Sequence, residues 1–415
     1  MNLFIDALFF RANYNTTVVC LGAIMLGAAA GALGTFILLR QRSLASDAVG
    51  HATLPGLTAA FIIMALLTGD GRWMPGLMLG AAGSAALGLW CMHLLVSRTR
   101  LQQDAAIAAV LSTFFGLGVV MLTVVQSLGT GRPAGLNAYL LGTAAGMLRH
   151  EAQLIAVLSL ATGIIIYMVR RPLTLLCFDS QHASIAGIPV HLLDLAISGL
   201  LLALVVTSLK IVGLILSVAL CIIPAAAARF WTNRVTTMVL VSAAFGATGS
   251  HIGAALSSTA HSLPTGAVIT LSLFMLFLIS MLAAPSGGLI ATALRHRHYQ
   301  QQVHLRQGLL ALEKQKHICS PETLRLLRKA GWVHANGLTT AAGALAARGA
   351  RRDENLWALY RRLYPDQAAH LQQPHMQPLH TYLPATQFRE FEQHYRQAGA
   401  EQNPVGSMPH VTTTA

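Results

Sequence analysis

VVCLGAIMLGAAAGALGTFILL, residues 18–39, sets the terms on which the rest of the chain is read. The run carries no charged residue, and at about 1.5 Å per helical residue it is long enough to cross a hydrocarbon core of about 30 Å. Asp6 and Arg11 precede it, and the run is too long for the core of a cleaved signal. Gly27, Gly31 and Gly34 sit among Ala28, Ala29, Ala30 and Ala32. Small side chains let helices approach closely in lipid, where apolar burial supplies no force between them.

Working outward, further apolar segments lie at 54–68, 75–96, 105–127, 151–169, 192–209, 211–229, 236–256 and 266–284, which with the first predicts nine spans. Only the region of Lys210 divides 192–229, so eight spans with one segment re-entrant or broken is the alternative. Composition agrees: 54% of the 415 residues are hydrophobic and 10% are charged, against about 25% charged in soluble domains. Mean hydropathy is +0.57. An ordinary soluble enzyme and a disordered chain are both excluded.

The charges are unevenly spread. Residues 1–294 hold 13 Lys/Arg and 7 Asp/Glu, whereas residues 295–415 hold 15 and 8. This predicts a transmembrane domain over 1–294, a cytoplasmic linker helix over 295–318, a soluble domain over 319–398 and a disordered tail over 399–415. Arg40, Arg42, Arg98, Arg100, Arg170, Arg171, Arg229, Arg234, Arg295 and Arg297 all fall on one side of the nine-span arrangement. Basic residues mark the cytoplasmic side, so the C-terminal domain is expected inside and the N-terminus outside a bacterial plasma membrane. Much of the net charge of +13 follows from that rule. Cys20, Cys91, Cys177, Cys221 and Cys319 are far apart with no CxxC, which argues against a disulfide framework or a thiolate metal site.

The chemistry concentrates in L39-R-Q-R-S-L-A-S-D-A-V-G-H-A-T-L-P-G56. Asp47 and His51 are four apart and share a helix face. A carboxylate with an imidazole suits borderline divalent cations such as Mn²⁺, Fe²⁺ or Zn²⁺. The competing reading has Asp47 capping a helix while His51 bonds to a neighbour. Pro55 and Gly56 predict a break or bend. His93 reads as a packing residue, and His251 and His261 bracket the last outer turn, where they could collect metal. Residues 172–190 read as a short amphipathic element on the cytoplasmic side. No GxxxxGK[ST], HExxH or GxSxG is found, so any ATP must be handled by another chain.

Several separated motifs together carry a resemblance. G34-T-F-I-L-L-R-Q-R-S-L-A-S-D-A-V-G-H-A-T-L-P-G56, D104-A-A-I-A-A-V-L-S-T-F-F-G-L-G118, A138-Y-L-L-G-T143, the run from Lys210 to Arg229 and the stretch 257–266 occur in one order. Over nearly all of residues 15–292 the chain resembles the integral-membrane permeases of bacterial ABC importers for manganese, zinc and iron. The resemblance implies cytoplasmic ATP-binding subunits, an extracytoplasmic metal-binding protein and a second permease chain, identical or not. It places Asp47 and His51 on the metal pathway. It also makes 173–187, with Phe178, Asp179 and Gly187, the coupling helix that docks into the ATPase. One departure stands out: the family often has an acidic residue where this chain reads His261-Ser-Leu-Pro264-Thr-Gly266.

Beyond the membrane part, Ser320 reads as a cap before Pro321, with Leu324, Leu327 and Trp332 on one face. Asn336-Gly337 signals a turn, and Thr339 or Thr340 can cap the next helix. With R351-R-D-E-N-L-W-A-L-Y-R-R-L-Y364, this order resembles the winged helix of diphtheria-toxin-repressor-type regulators. The basic residues there would allow DNA as a partner; the alternatives are a scaffold or a metal-responsive contact. His370, His375, His380, His394 and His410 show no clean ligand spacing.

The expected fold is therefore an all-α polytopic membrane protein of eight or nine spans with a small cytoplasmic winged-helix-like α+β domain. The expected function is the permease subunit of an ATP-driven importer of Mn²⁺, Zn²⁺ or Fe²⁺. Its competitors are a membrane-tethered metal-responsive transcriptional regulator and an ATPase-independent secondary transporter. The latter would want more buried acidic residues than Asp47 alone.

Overall fold

The computed structural model describes residues 2–68, 73–127, 149–209, 213–259, 263–314, 320–369 and 378–402. The chain forms two units, Met1–Ala291 and Thr292–Ala415. The first holds α1 (Asn2–Leu8), α2 (Tyr14–Leu39), α3 (Ser43–Thr68), α4 (Met74–Arg98), α5 (Gln103–Ser127), α6 (Arg149–Phe178), α7 (Ser180–Ile185), α8 (Val190–Ser208), α9 (Leu214–Arg229), α10 (Val235–Ser257) and α11 (Thr265–Ala283). Among the described residues eight helices are long and apolar enough to span a bilayer: α2, α3, α4, α5, α6, α8, α10 and α11. The ninth candidate, at 211–229, becomes α9, a helix of 16 residues and roughly 24 Å, short of the hydrocarbon core. Gly213, at φ +84°, opens it; Lys210 lies outside the described residues.

α2 lies at the centre because it is apolar on every side. The buried share of its apolar window is 72%, against 50% or less in the other seven spans. Its glycines make this possible. A Cβ on Gly27 would strike the Gly246 carbonyl of α10, one on Gly31 the Ser242 carbonyl, and one on Gly34 the Cys221 carbonyl of α9. The Ser242 hydroxyl donates to the Gly31 carbonyl at 2.6 Å, a polar tie between two backbones in direct contact.

α3 continues through Pro55 without interruption, where the sequence predicts a break or bend. Proline removes one amide from the helix ladder. Neighbouring hydroxyls engage the carbonyls around it: Thr53 donates to Gly50 (2.6 Å), Ser84 of α4 to Ala52 (2.6 Å), and Thr58 to Leu54 and Pro55 (both 2.9 Å). Gly56 lets α4 come into backbone contact at Gly80.

The second unit corrects the sequence reading. It consists of α12 (Leu289–Glu313, which begins in the first unit), α13 (Pro321–Lys329), α14 (Ala341–Leu363), α15 (Pro365–Ala369), a 3-10 turn (Leu379–Thr381) and α16 (Ala385–Gln402). No β-strand occurs among the described residues, so the winged-helix α+β domain is not the fold and the resemblance to the repressor family does not hold. The Asn336-Gly337 turn is present, with Gly337 at φ +86° and the Asn336 side chain accepting from the Leu338 amide at 3.2 Å. It closes only one isolated bridge, between Val333 and Thr339. There is no room for more. α13 ends at Lys329, and Thr340 already caps α14 by accepting from the Gly343 amide at 3.0 Å. Residues 351–364, expected as a separate element, mostly continue α14, and α16 supplies a helix where a wing would need strands. DNA contact by this unit thereby loses the fold on which it rested. Two apolar clusters hold the unit: Leu309, Leu327, Val333 and Ala347 in one, and Trp357, Tyr360, Leu379 and Phe391 in the other.

Candidate metal pathway and docking segment

Asp47 and His51 lie in the second and third turns of α3, and His51 Nε2 is 3.3 Å from Asp47 Oδ1. Their side chains are 36% and 21% exposed respectively, so the pair is partly withdrawn from solvent yet open to an approaching ion. The imidazole stands edge-on to the Phe115 ring of α5, centroids 4.8 Å apart. His51 Nδ1 is buried with no hydrogen-bond partner. Such an unsatisfied group costs about 1–3 kcal/mol, a penalty that a reoriented ring would relieve. Pro55 sits four residues on, so it also withholds the amide that would ordinarily bond to the His51 carbonyl.

A carboxylate oxygen and an imidazole nitrogen at this spacing offer one hard and one borderline ligand. Two ligands do not complete a shell. Among the described residues no third His, Cys, Asp or Glu joins them. The other histidines are placed elsewhere. His93 packs edge-on to His191 of α8, centroids 5.3 Å apart. His251 stacks on Phe10 at 4.9 Å, its Nε2 lying 3.1 Å from the Leu8 carbonyl. His261, His370, His375, Cys319 and the motif at 138–143 lie outside the described residues.

The docking segment is shorter than expected, because residues up to Phe178 extend α6 and only 180–185 form α7. Asp179 caps α7 by accepting from the His182 amide at 2.8 Å. At the other end Gly187, at φ +76°, donates to the Ser184 carbonyl, and Ile188 donates to the Ala183 carbonyl. That bond pair is a Schellman stop, which needs a residue comfortable in the left-handed region. Asp179 and Gly187 thus fix both ends of α7. Ile185 at its last position is 84% exposed, and Phe178, the last residue of α6, is 70% exposed.

Sequence reasoning read Arg40 and Arg42 only as markers of orientation. Here both reach Asp194 of α8: Arg40 Nη2 lies 2.6 and 2.9 Å from its two oxygens, and Arg42 Nη2 3.3 Å from Oδ2. Arg40 Nη1 also donates to the Leu176 carbonyl in the last turn of α6, at 3.1 Å. Burial pulls the Arg42 guanidinium below its ordinary range, and Asp194 opposes that pull.

A multi-span helical bundle with a capped, outward-facing helix between two of its stems is the architecture of a membrane transport subunit. The chain belongs to the ABC 3 transport family, whose family model matches residues 13–284. It is a non-catalytic permease subunit of an ABC transporter. The manganese transport system membrane protein MntC of Bacillus subtilis (strain 168) is 39% identical over 301 residues, covering 72% of this chain and 68% of that one. The zinc transport system membrane protein TroC of Treponema pallidum (strain Nichols) is 35% identical over 286 residues, 69% of this chain and 94% of that one. Among solved structures, PsaBC from Streptococcus pneumoniae in complex with Fab matches with TM-score 0.58 and 30% identity, over 68% of this chain and 96% of that chain.

Proposed function

We propose that this chain carries a divalent transition metal (Mn²⁺, Zn²⁺ or Fe²⁺) inward across the bacterial plasma membrane, with Asp47 and His51 as its cargo ligands. Family and fold support a permease subunit of a metal-type ABC importer. The observation that carries the ligand assignment is the Asp47 Oδ1–His51 Nε2 pair, 3.3 Å apart on one partly buried helix face. The relatives' names divide between manganese and zinc, and neither donor type selects one of these ions. The carboxylate offsets part of the charge of a partly dehydrated ion, and the neutral imidazole adds a nitrogen without adding charge. With only two protein ligands the site stays weak enough to release its ion, as conduction requires.

Phe178 at the end of α6 and Ile185 on α7 are read as the contact with a cytoplasmic ATP-binding subunit, with Asp179 and Gly187 shaping α7. An extracytoplasmic metal-binding protein would deliver the ion. A cytoplasmic second unit requires that α9 complete a ninth crossing, since only then do Arg229, Arg234, Arg295 and Arg297 share a side with Arg40 and Arg42.

The test is reconstitution with the ATP-binding subunit and the metal-binding protein, supplying Mn²⁺, Zn²⁺ or Fe²⁺ singly. One metal should stimulate ATP hydrolysis and accumulate in the vesicles. Asp47→Ala should reduce that accumulation to background while the complex still assembles. Undiminished uptake by Asp47→Ala would remove the cargo-ligand role.

A further inference from the structure

We propose that Arg40 and Arg42, gripping Asp194 and the end of α6, form the mechanical link between the ATPase-docking helix α7 and the metal-bearing helix α3. The inference rests on the functional reading above for the roles of those two helices. Its own basis is the geometry between them.

α7 hangs between two stems, α6 ending at Phe178 and α8 beginning at Val190. One guanidinium holds both stems. Arg40 Nη1 bonds to the Leu176 carbonyl on the first stem, and Nη2 bonds to both oxygens of Asp194 on the second. The last four carbonyls of a helix have no intrahelical donor and carry the negative end of its dipole. Leu176 is one of these, so the α6 contact is a charge-assisted bond to an otherwise orphaned acceptor. Asp194 is one of only 7 acidic residues in the first 294, and two arginines share it. The side chains of Arg40 and Asp194 are 13% and 25% exposed, too withdrawn for the loose pairing typical of surface ions.

Both arginines belong to the turn joining α2 to α3. Gln41 between them has φ +56°, a left-handed conformation that a residue with a Cβ seldom adopts. Such conformations persist where the surroundings over-determine them. Here the two flanking side chains are anchored on one carboxylate. α3 starts at Ser43, directly after Arg42, and Asp47 lies one turn further. Movement of the α6–α8 stem pulls on Asp194 and Leu176, hence on the turn, hence on the helix that bears the metal pair. Orientation in the membrane requires basic residues on this side; it does not require them to converge on one acid.

The experiment uses the full complex, permease with ATP-binding subunit and metal-binding protein, in proteoliposomes. It reads metal ions imported per ATP hydrolysed. Arg40→Asp and Asp194→Arg should each lower that ratio by about tenfold, within the range of ordinary coupling between sites, while hydrolysis continues. Where a charge reversal prevents assembly, the near-isosteric Asp194→Asn carries the same expectation. An unchanged ratio in Asp194→Asn overturns the link, as does uptake and hydrolysis falling together in proportion. If the unaltered complex shows no metal-stimulated hydrolysis at all, the functional reading itself fails and takes the link with it.

Discussion

In the first unit Gly27 meets Gly246 and Gly31 meets Ser242, backbone against backbone. In the second, Trp357 meets Tyr360 and Tyr382, and Tyr360 meets Phe391, ring against ring at 5.5–6.0 Å. Charges follow the same division. The membrane unit gathers two arginines on one aspartate, whereas the second unit spreads Arg306 over Asp353 and Glu354 and pairs Arg352 with Glu392. The contrast shows how solvent dictates the means of cohesion. Burying large apolar surface is favoured where water is the alternative, and the aromatic clusters of the second unit are built in that way. Lipid tails give no such reward, so helices there gain by bringing backbones close and by joining the few polar groups they carry.

The largest effect should come from spoiling a backbone crossing. Gly27→Leu places a side chain where a Cβ already collides with the Gly246 carbonyl, and should abolish the folded membrane unit. Gly163→Ala, where a Cβ meets nothing, is the control. Size-exclusion of detergent-extracted protein would show aggregate for the first and an unchanged peak for the second; two similar profiles would break the comparison. Next comes the aromatic core. Trp357 is fully buried, and Trp357→Ala should destabilise the second unit by about 3–5 kcal/mol, read as a shift in its denaturation midpoint. The smallest effect is at a helix end. Thr340→Ala removes the cap of α14 and should cost about 1 kcal/mol by the same measurement. A loss as large as that for Trp357→Ala would show that the Val333–Thr339 turn depends on the cap far more than its single bridge suggests.

The membrane architecture was legible because lipid leaves the backbone so few choices. Long uncharged runs must become helices there, and small residues must face neighbours. The Asp47–His51 spacing was legible for a similar reason, since four residues on any helix means one face. α3 runs on through Pro55 in helical conformation, which removes the break from the expected break or bend, and the Ser84 hydroxyl that holds the nearby Ala52 carbonyl comes from another helix, which local sequence does not announce. Arg40 and Asp194 are 154 residues apart, and nothing in either neighbourhood names the other. The winged helix failed differently. Asn336-Gly337 does make its turn, but a turn signal says nothing of how many residues on either side will pair, and the helices at Lys329 and Thr340 leave too few.

The crossing at Gly27 and Gly246 also bears on speed. Where knobs interlock, one helix can slip past another only by flipping side chains or lifting out of register. Two bare backbones impose no such toll, and their contact resembles a lubricated bearing more than a set of gears. A span seated on glycines can slide by small distances with little friction, while the Ser242 hydroxyl on the Gly31 carbonyl acts as a light detent, easily released and remade. Any movement of the most enclosed span past α10 at this crossing would meet backbone and one hydroxyl in place of interlocked side chains.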